Sequence, residues 1–228
     1  MSNQFSRTEA LIGKENQNKL KNAKVAVFGL GGVGGHTVEA LARAGIGHLV
    51  LVDYDSYDIT NINRQIGALH STIGRYKVDV MKERILDINP NTIVETYIPE
   101  EIEGEQSSIV DYTFNYVVDA IDTMKNKLEL IEKCSKENVP IITMTGAGNK
   151  LDATKFEVAD IYKTSVCPVC KILRKELKNR GIKKLKVVYS KEIPIKPQAE
   201  EKVLASISFV PSVAGLIGAG EVIKDIIK

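Results

Sequence analysis

The chain has 228 residues, 43% of them hydrophobic and 26% charged, and its three cysteines (Cys134, Cys167, Cys170) are too few for a disulfide framework. That length fits one large domain that can bury a core unaided. No charged-then-apolar leader opens the sequence and no apolar run reaches bilayer length, so a soluble cytoplasmic protein is expected. The formal charge of +2 hides an asymmetry, because residues 163–202 carry 12 Lys/Arg against 4 Asp/Glu, which suits a polyanionic partner or a solvated helix face.

The first twenty residues are polar, with Phe5-Ser6-Arg7-Thr8 ahead of an amphipathic stretch containing Leu11, Ile12 and Leu20. Residues 24–28 (KVAVF) read as a short buried strand, followed by Gly29-Leu30-Gly31-Gly32-Val33-Gly34. This is G-x-G-x-x-G between a strand and a helix, the context in which small residues permit a tight turn and close approach to phosphate. The helix expected over 35–44 would aim its free amides and dipole at the same anion, and Gly45 stops it.

A second strand, 49–52, delivers Asp53 about twenty residues after the loop, where a Rossmann-type fold places its ribose acid. The stretch it opens reads DYDSYDITNINRQ: two carboxylates, Asp53 and Asp55, then Asn61, Asn63, Arg64 and Gln65. A strand-end acid suits ribose hydroxyls, and a guanidinium with amides nearby suits phosphate oxygens. His36 and His48 lack a third ligand at metal spacing and read as structural.

A helix is expected over 74–88, with Lys77 in its first turn and Asn89-Pro90 as its end. A strand over 93–97 leads to an acidic, solvated loop at 100–105. A fourth strand, 116–118, ends in Asp119-Ala120-Ile121-Asp122. Ligands in open α/β sheets collect at the carboxyl ends of strands, so Asp122 should face the same crevice as Asp53 and hold magnesium beside phosphates; it also suits the N-cap of a helix over 123–138. A fifth strand, 140–144, closes with Gly146-Ala147-Gly148.

After Lys150 the texture changes. Cys167-Pro168-Val169-Cys170 opens a basic helix at 171–180, a strand follows at 185–189, and 191–202 reads as an exposed crossover loop. A last strand is expected at 207–210 and a small-residue-rich helix at 213–227, buried against the sheet. The fold class expected is α/β: a Rossmann-like open sheet in a single domain, with a parallel nucleotide-binding half (1–150) and a smaller mixed C-terminal extension (151–228).

GLGGVGG, Asp53, D-x-D…TNINRQ, Lys77 and DAID, in that order, resemble the ATP-dependent adenylating enzymes related to ubiquitin activation, the superfamily that holds the ThiF and MoeB groups. FSRTEALIG, NINRQIGALHSTIGRYKVDVM, ILDINP, GAGNKLD and FEVADIYKTSVCP most resemble its bacterial branch that dehydrates threonylcarbamoyladenosine in tRNA, and the likeness runs from Phe5 to Lys228. The resemblance implies that Gly29, Gly31, Gly32 and Gly34 line ATP and that Asp53, with Asp55, serves its ribose end. Asn61, Arg64, Gln65 and Lys77 would clamp the triphosphate, Lys127 would lie near it, and Asp122 would position Mg2+. Arg7 matches an arginine that relatives lend to the other subunit's site, so a homodimer is implied. Many relatives carry two C-x-x-C pairs that bind structural zinc; this chain has one, so four thiolates are not available, and the pair reads as structural, with a redox pair and then zinc as lesser alternatives.

The reaction implied is attack of the threonyl carboxylate on the α-phosphate of ATP, then ring closure with loss of AMP. Arg64, Lys77, Asp122 and Arg7 would carry it by positioning and charge neutralisation. The substrate is tRNA bearing threonylcarbamoyladenosine, met by Lys175, Lys178, Lys183, Lys184 and Lys186, and a sulfur-relay protein is a possible partner. Three rival readings stand beside it: activation of the C-terminal glycine of a sulfur-carrier protein, an NAD-dependent oxidoreductase, and a non-catalytic RNA-binding protein.

Overall fold

The computed structural model describes residues 3–99, 106–111, 113–198 and 204–228. Two N-terminal helices, α1 (Ser6–Ile12) and α2 (Lys14–Asn22), precede β1 (Lys24–Phe28), α3 (Gly34–Ala44), β2 (His48–Val52), α4 (Lys77–Ile88), β3 (Ile93–Tyr97) and β4 (Tyr116–Asp119). Then come α5 (Met124–Glu137), β5 (Ile141–Met144), β6 (Phe156–Asp160), α6 (Pro168–Asn179), β7 (Lys186–Ser190) and α7 (Phe209–Ile227).

The strands form one sheet in the order β3-β2-β1-β4-β5-β7-β6, parallel throughout except where β6 runs antiparallel to β7. Both faces are covered, which is why the strands read as continuous apolar runs. Along β1, Val25 and Val27 join a core with Val38 and Leu41 of α3, Met81 and Ile85 of α4 and Val222 of α7. Ala26 and Phe28 point the other way, into a core with Leu130 and Cys134 of α5. Each Val, Leu, Ile, Met or Phe buried in this way contributes about 1.5–3 kcal/mol.

Glycines in α7 set how closely it packs. A Cβ at Gly215 would sit 2.3 Å from the Val33 carbonyl oxygen, and one at Gly218 would overlap Met144. Thr37 Oγ1 donates to the Gly215 carbonyl at 3.0 Å, fastening α3 to α7. No described helix is long and apolar enough to cross a membrane.

Several sequence expectations are corrected. The helix expected from residue 74 begins at Lys77, because Gly74 takes φ 84° and Tyr76 bridges to Ser56 first. No strand forms at 207–210: the alternating Ile-Ser-Phe-Val run enters α7 at Phe209, and Pro211 fits a first helical turn that needs no N–H from it. The basic helix begins at Pro168 rather than residue 171, and Thr123, not Asp122, occupies the N-cap of α5. β6 was not anticipated; its five residues alternate poorly and lie on the sheet edge. The acidic loop at 100–105 lies outside the described residues.

One cluster ties β7 and β4 to the end of α7. Lys186 Nζ lies 2.5 Å from Asp225 Oδ2, the Tyr116 hydroxyl donates to the same oxygen at 2.8 Å, and Lys228 reaches Oδ1 at 2.7 Å. Burial pushes the Asp225 pKa up, but these donors outweigh it and leave it lowered to about 2. A depressed carboxylate stabilises the fold above its unfolded pKa near 3.8 and loses that contribution as pH falls towards 2. Asp225→Asn should therefore flatten the fall in unfolding free energy between about pH 4 and pH 2, by about 1 kcal/mol after solvent screening, as read by denaturant unfolding at each pH. Parallel curves for variant and wild type would contradict this.

Candidate active site

The sheet order reverses direction between β1 and β4, so the loops leaving β1, β2 and β4 meet at one crevice. Gly29 takes φ 87°, and a Cβ there would lie 2.7 Å from the Ala120 carbonyl oxygen. A Cβ on Gly34 would strike the Gly29 carbonyl, so the turn closes only with glycine at both ends. α3 begins at Gly34, so the positive end of its dipole lies at this crevice, while the Gly35 N–H is already donated to the Gly31 carbonyl at 3.0 Å.

Asp53 sits at the mouth of β2, 8% exposed. Its Oδ2 accepts from the Leu30 N–H at 2.5 Å and its Oδ1 from the Asp55 N–H at 2.8 Å. Each oxygen keeps a lone pair for a further donor, such as a hydroxyl. Burial raises the Asp53 pKa against the pull of Lys77 and of these two amides. Lys77, on the first turn of α4 and 4% exposed, places Nζ 2.6 Å from Asp55 Oδ2 and 3.9 Å from Asp53 Oδ1.

The stretch from Asp58 to Gln65 folds over the glycine loop. Asn61 accepts from the Asp58 N–H in a capping box, which shapes the turn. Arg64 donates to the Thr60 carbonyl at 2.9 Å and to Asn63 Oδ1 at 2.8 Å. Its Cγ would lie 3.2 Å from a Cβ on Gly32 and the Gln65 amide nitrogen 3.9 Å from one on Gly31, so both side chains stand beside the loop. Gln65 is 7% exposed, and its Oε1 is buried without a hydrogen-bond partner. A buried amide oxygen left this way is costly unless a ligand or water completes it.

Asp122 lies exposed after β4, taking only a 3.3 Å hydrogen bond from Thr123 Oγ1. Tyr54 stands near all of these acids: burial, then the charges of Asp55, Asp122 and Asp53, raise its pKa. Tyr54, between two acids at a strand end, went unremarked in the sequence.

Lys127, expected near the phosphates, is held by a buried acid in this structure. It is 2% exposed, with Nζ bonded to both oxygens of Asp119 at 2.9 and 2.8 Å and to the Met144 carbonyl at 3.2 Å. Asp119, fully buried, also accepts from the Ile121 N–H at 3.1 Å. The pair fastens β4 to α5 and β5 beneath the crevice. Sequence reading missed Asp119, whose signal was an acid ending an otherwise apolar strand.

Arg7 is exposed on α1, without an ion pair among the described residues. The α1 end of the chain packs at Gly45, where Phe5 would touch an added Cβ at 3.2 Å, and Gly45 caps the far end of α3 from the glycine loop. The length of α3, about 16 Å, separates Arg7's neighbourhood from the crevice of its own chain. Among the lysines expected to meet RNA, Lys175, Lys178, Lys183 and Lys184 are exposed, whereas Lys186 is engaged with Asp225 and Glu221. His36 and His48 hold structural places, His48 with Glu95 at 2.6 Å and His36 against the Arg64 backbone, its pKa lowered by burial. No group of three or more acidic, histidine or cysteine side chains suited to a metal ion occurs among the described residues.

Comparison with known proteins adds a direct finding. The chain is 46% identical over its whole length, and over 96% of the relative, to the tRNA threonylcarbamoyladenosine dehydratase of Bacillus subtilis. It superposes on crystal structures of the Escherichia coli tRNA N6-threonylcarbamoyladenosine dehydratase in complex with AMP (TM-score 0.89, 33% identity) and with ATP (TM-score 0.87, 32% identity). Each superposition covers 98% of this chain and 93% of that one. The family model described as the ThiF family matches residues 5–228, from just before α1 through the glycine loop and the Arg64 turn to the end of α7, and the chain belongs to that family.

Proposed function

We propose that this chain is an ATP-dependent tRNA threonylcarbamoyladenosine dehydratase. The observation that carries the reading is the gathering of Arg64, Gln65 and Lys77 around the glycine loop, in a chain 46% identical from end to end to a protein of that name. A nicotinamide reading leaves Arg64 and Lys77 without a task.

The residues fit a nucleoside triphosphate. Asp53 keeps lone pairs for ribose hydroxyls, the cradle over Gly31 and Gly32 has room for phosphate only without side chains, and the Gln65 amide nitrogen beside Gly31 can donate to a phosphate oxygen. Asp55 and Asn61 shape the rim of the site through Lys77 and the Asp58 turn. The exposed carboxylate of Asp122 fits Mg2+, which is commonly held by one or two acids plus substrate phosphates and would neutralise phosphate charge there.

In this reading the threonyl carboxylate attacks the α-phosphorus and pyrophosphate leaves; the carbamoyl group then attacks the activated carbonyl, closing the ring and releasing AMP. Arg64 and Lys77 stabilise the charge that grows on the phosphoryl oxygens, and the positive end of the α3 dipole favours the anion beside the glycine loop. The position of Arg7, remote from its own crevice, supports a homodimer in which it serves the partner's site. The exposed lysines of α6 and the turn beyond it suit tRNA phosphates, and a tRNA substrate implies a cytoplasmic location.

The test is mass spectrometry of tRNA carrying threonylcarbamoyladenosine after incubation with the protein and magnesium-ATP. Loss of one water confined to that nucleoside, with stoichiometric AMP, is the expected result. No mass change, with pyrophosphate exchange appearing only when a sulfur-carrier protein is added, would move the chain to the carrier-activating branch. Adding a sulfur-relay protein to the same assay reads whether it stimulates ring closure.

A further inference from the structure

Cys167 and Cys170 have no part in the chemistry above. Cys167 is the N-cap of α6 and Pro168 its first residue. An N-cap and the residue three further on face each other across the first turn. The Cys170 N–H accordingly points at Cys167 Sγ at 3.5 Å. Thr145 Oγ1, one residue past β5, lies 3.2 Å from Cys170 Sγ and 3.9 Å from Cys167 Sγ, so both sulfurs share one hydroxyl. Both cysteines are free thiols.

Their environment separates them from the third thiol. Cys134 is buried without comparable donors, and burial pushes it up to about 12. At Cys167 the hydrogen bond from the Cys170 thiol outweighs burial and, with the amide of the helix turn, lowers the pKa; Cys170 is raised by the same contact. Lys150, 4% exposed, is close enough to interact with charge on Cys167.

The pair also bears on two backbone segments. Val166 enters Cys167 at φ 62°, a conformation that costs a β-branched residue about 1–3 kcal/mol. On the other side Gly146 takes φ 60°, and a Cβ there would be 3.0 Å from Cys167 Sγ. The segment from Thr145 continues to Asn149, which accepts from the Ile195 and Ala205 amides and donates to the Ala205 carbonyl, pinning the crossover chain.

We propose that Cys167 and Cys170 form a reversible intramolecular disulfide, and that closing it displaces residues 145–150. The proposal is independent of the dehydratase reading. The Cys167 thiolate attacks one sulfur of a small-molecule disulfide, whose S–S bond breaks and releases one thiolate. The Cys170 sulfur, on losing its proton, attacks Cys167 Sγ and releases the second. The proton from Cys170 and one from solvent end on the two released thiols, and two electrons pass from the protein dithiol to the reagent. Bonding at about 2.05 Å draws Cys167 Sγ toward Cys170 and off Gly146 and removes the thiol proton shared with Thr145 Oγ1, and the strained Val166 turn is where the chain gives. With the two residues 2% and 0% exposed, reaction waits on local opening there.

The experiment equilibrates the full chain with graded mixtures of reduced and oxidised dithiothreitol, quenches in acid, labels with a maleimide after denaturation and weighs the intact protein. The expected result is joint loss of two labels with the third, at Cys134, retained, full recovery on reduction, and a peptide joining Cys167 to Cys170. Cys167→Ser and Cys170→Ser should each keep both remaining labels in the same mixtures. Amide exchange at 146–149 should be about tenfold faster in the oxidised form. Three labels at every ratio, or linkage through Cys134 or between chains, would overturn the disulfide; unchanged exchange at 146–149 would overturn the displacement.

Discussion

Arg64→Ala is expected to slow AMP formation by about 10²–10³-fold at saturating ATP, the cost of removing one well-placed charge donor from a phosphoryl-transfer site. Stability should change little, by about 0.5 kcal/mol or less. The reason lies in what Arg64 does without ligand: its guanidinium rests on the Thr60 carbonyl and the Asn63 side chain of its own turn and joins no ion pair among the described residues. Single-turnover AMP release, measured beside a thermal melt, separates the two effects. Ring closure at the wild-type rate would remove Arg64 from the chemistry and with it most of the case for this crevice.

Lys127→Met should act in the opposite way. It strips the partner from a fully buried carboxylate, a change that costs about 3–5 kcal/mol, or a Tm fall on the order of 10 °C in a chain of this size. Replacing both members, Lys127→Met with Asp119→Leu, should recover much of that loss, because a buried pair is often no better than an apolar one. Denaturant unfolding of the single and double variants checks this. If the single variant unfolded like wild type yet lost nucleotide binding, Lys127 would belong with the phosphates, as the family resemblance implies, rather than with Asp119.

Lys127 also marks the limit of reading a site from a linear sequence. The strands, the glycine loop and Asp53 were legible because their signals are local: an apolar run of strand length, glycines where no Cβ fits, an acid at the next strand end. Arg64 and Gln65 were legible as residue types, but that they lean on Gly32 and Gly31 follows only from the turn set by Asp58 and Asn61. Lys127 and Asp119, eight residues apart, gave no hint that a strand end and a helix turn would bury them together. The expected strand at 207–210 failed for a related reason: four alternating residues fit either periodicity, and contact with α3 along the Gly215 face settled on helix. β6 was missed because an edge strand needs only one neighbour and buries little.

The clasp between Lys77 and Asp55 has a consequence for how the crevice meets salt and stray anions. A bare ammonium at a glycine loop would collect any phosphate in solution; here its charge is already answered from within, at 2.6 Å. On the proposed function, a nucleotide arriving at Lys77 does not fill a vacancy but exchanges one anion for another, setting the half-exposed Asp55 free to turn outward. Asp55 stays on the protein, so the swap leaves a carboxylate beside the arriving anion, and a cation that answers that carboxylate should strengthen nucleotide capture.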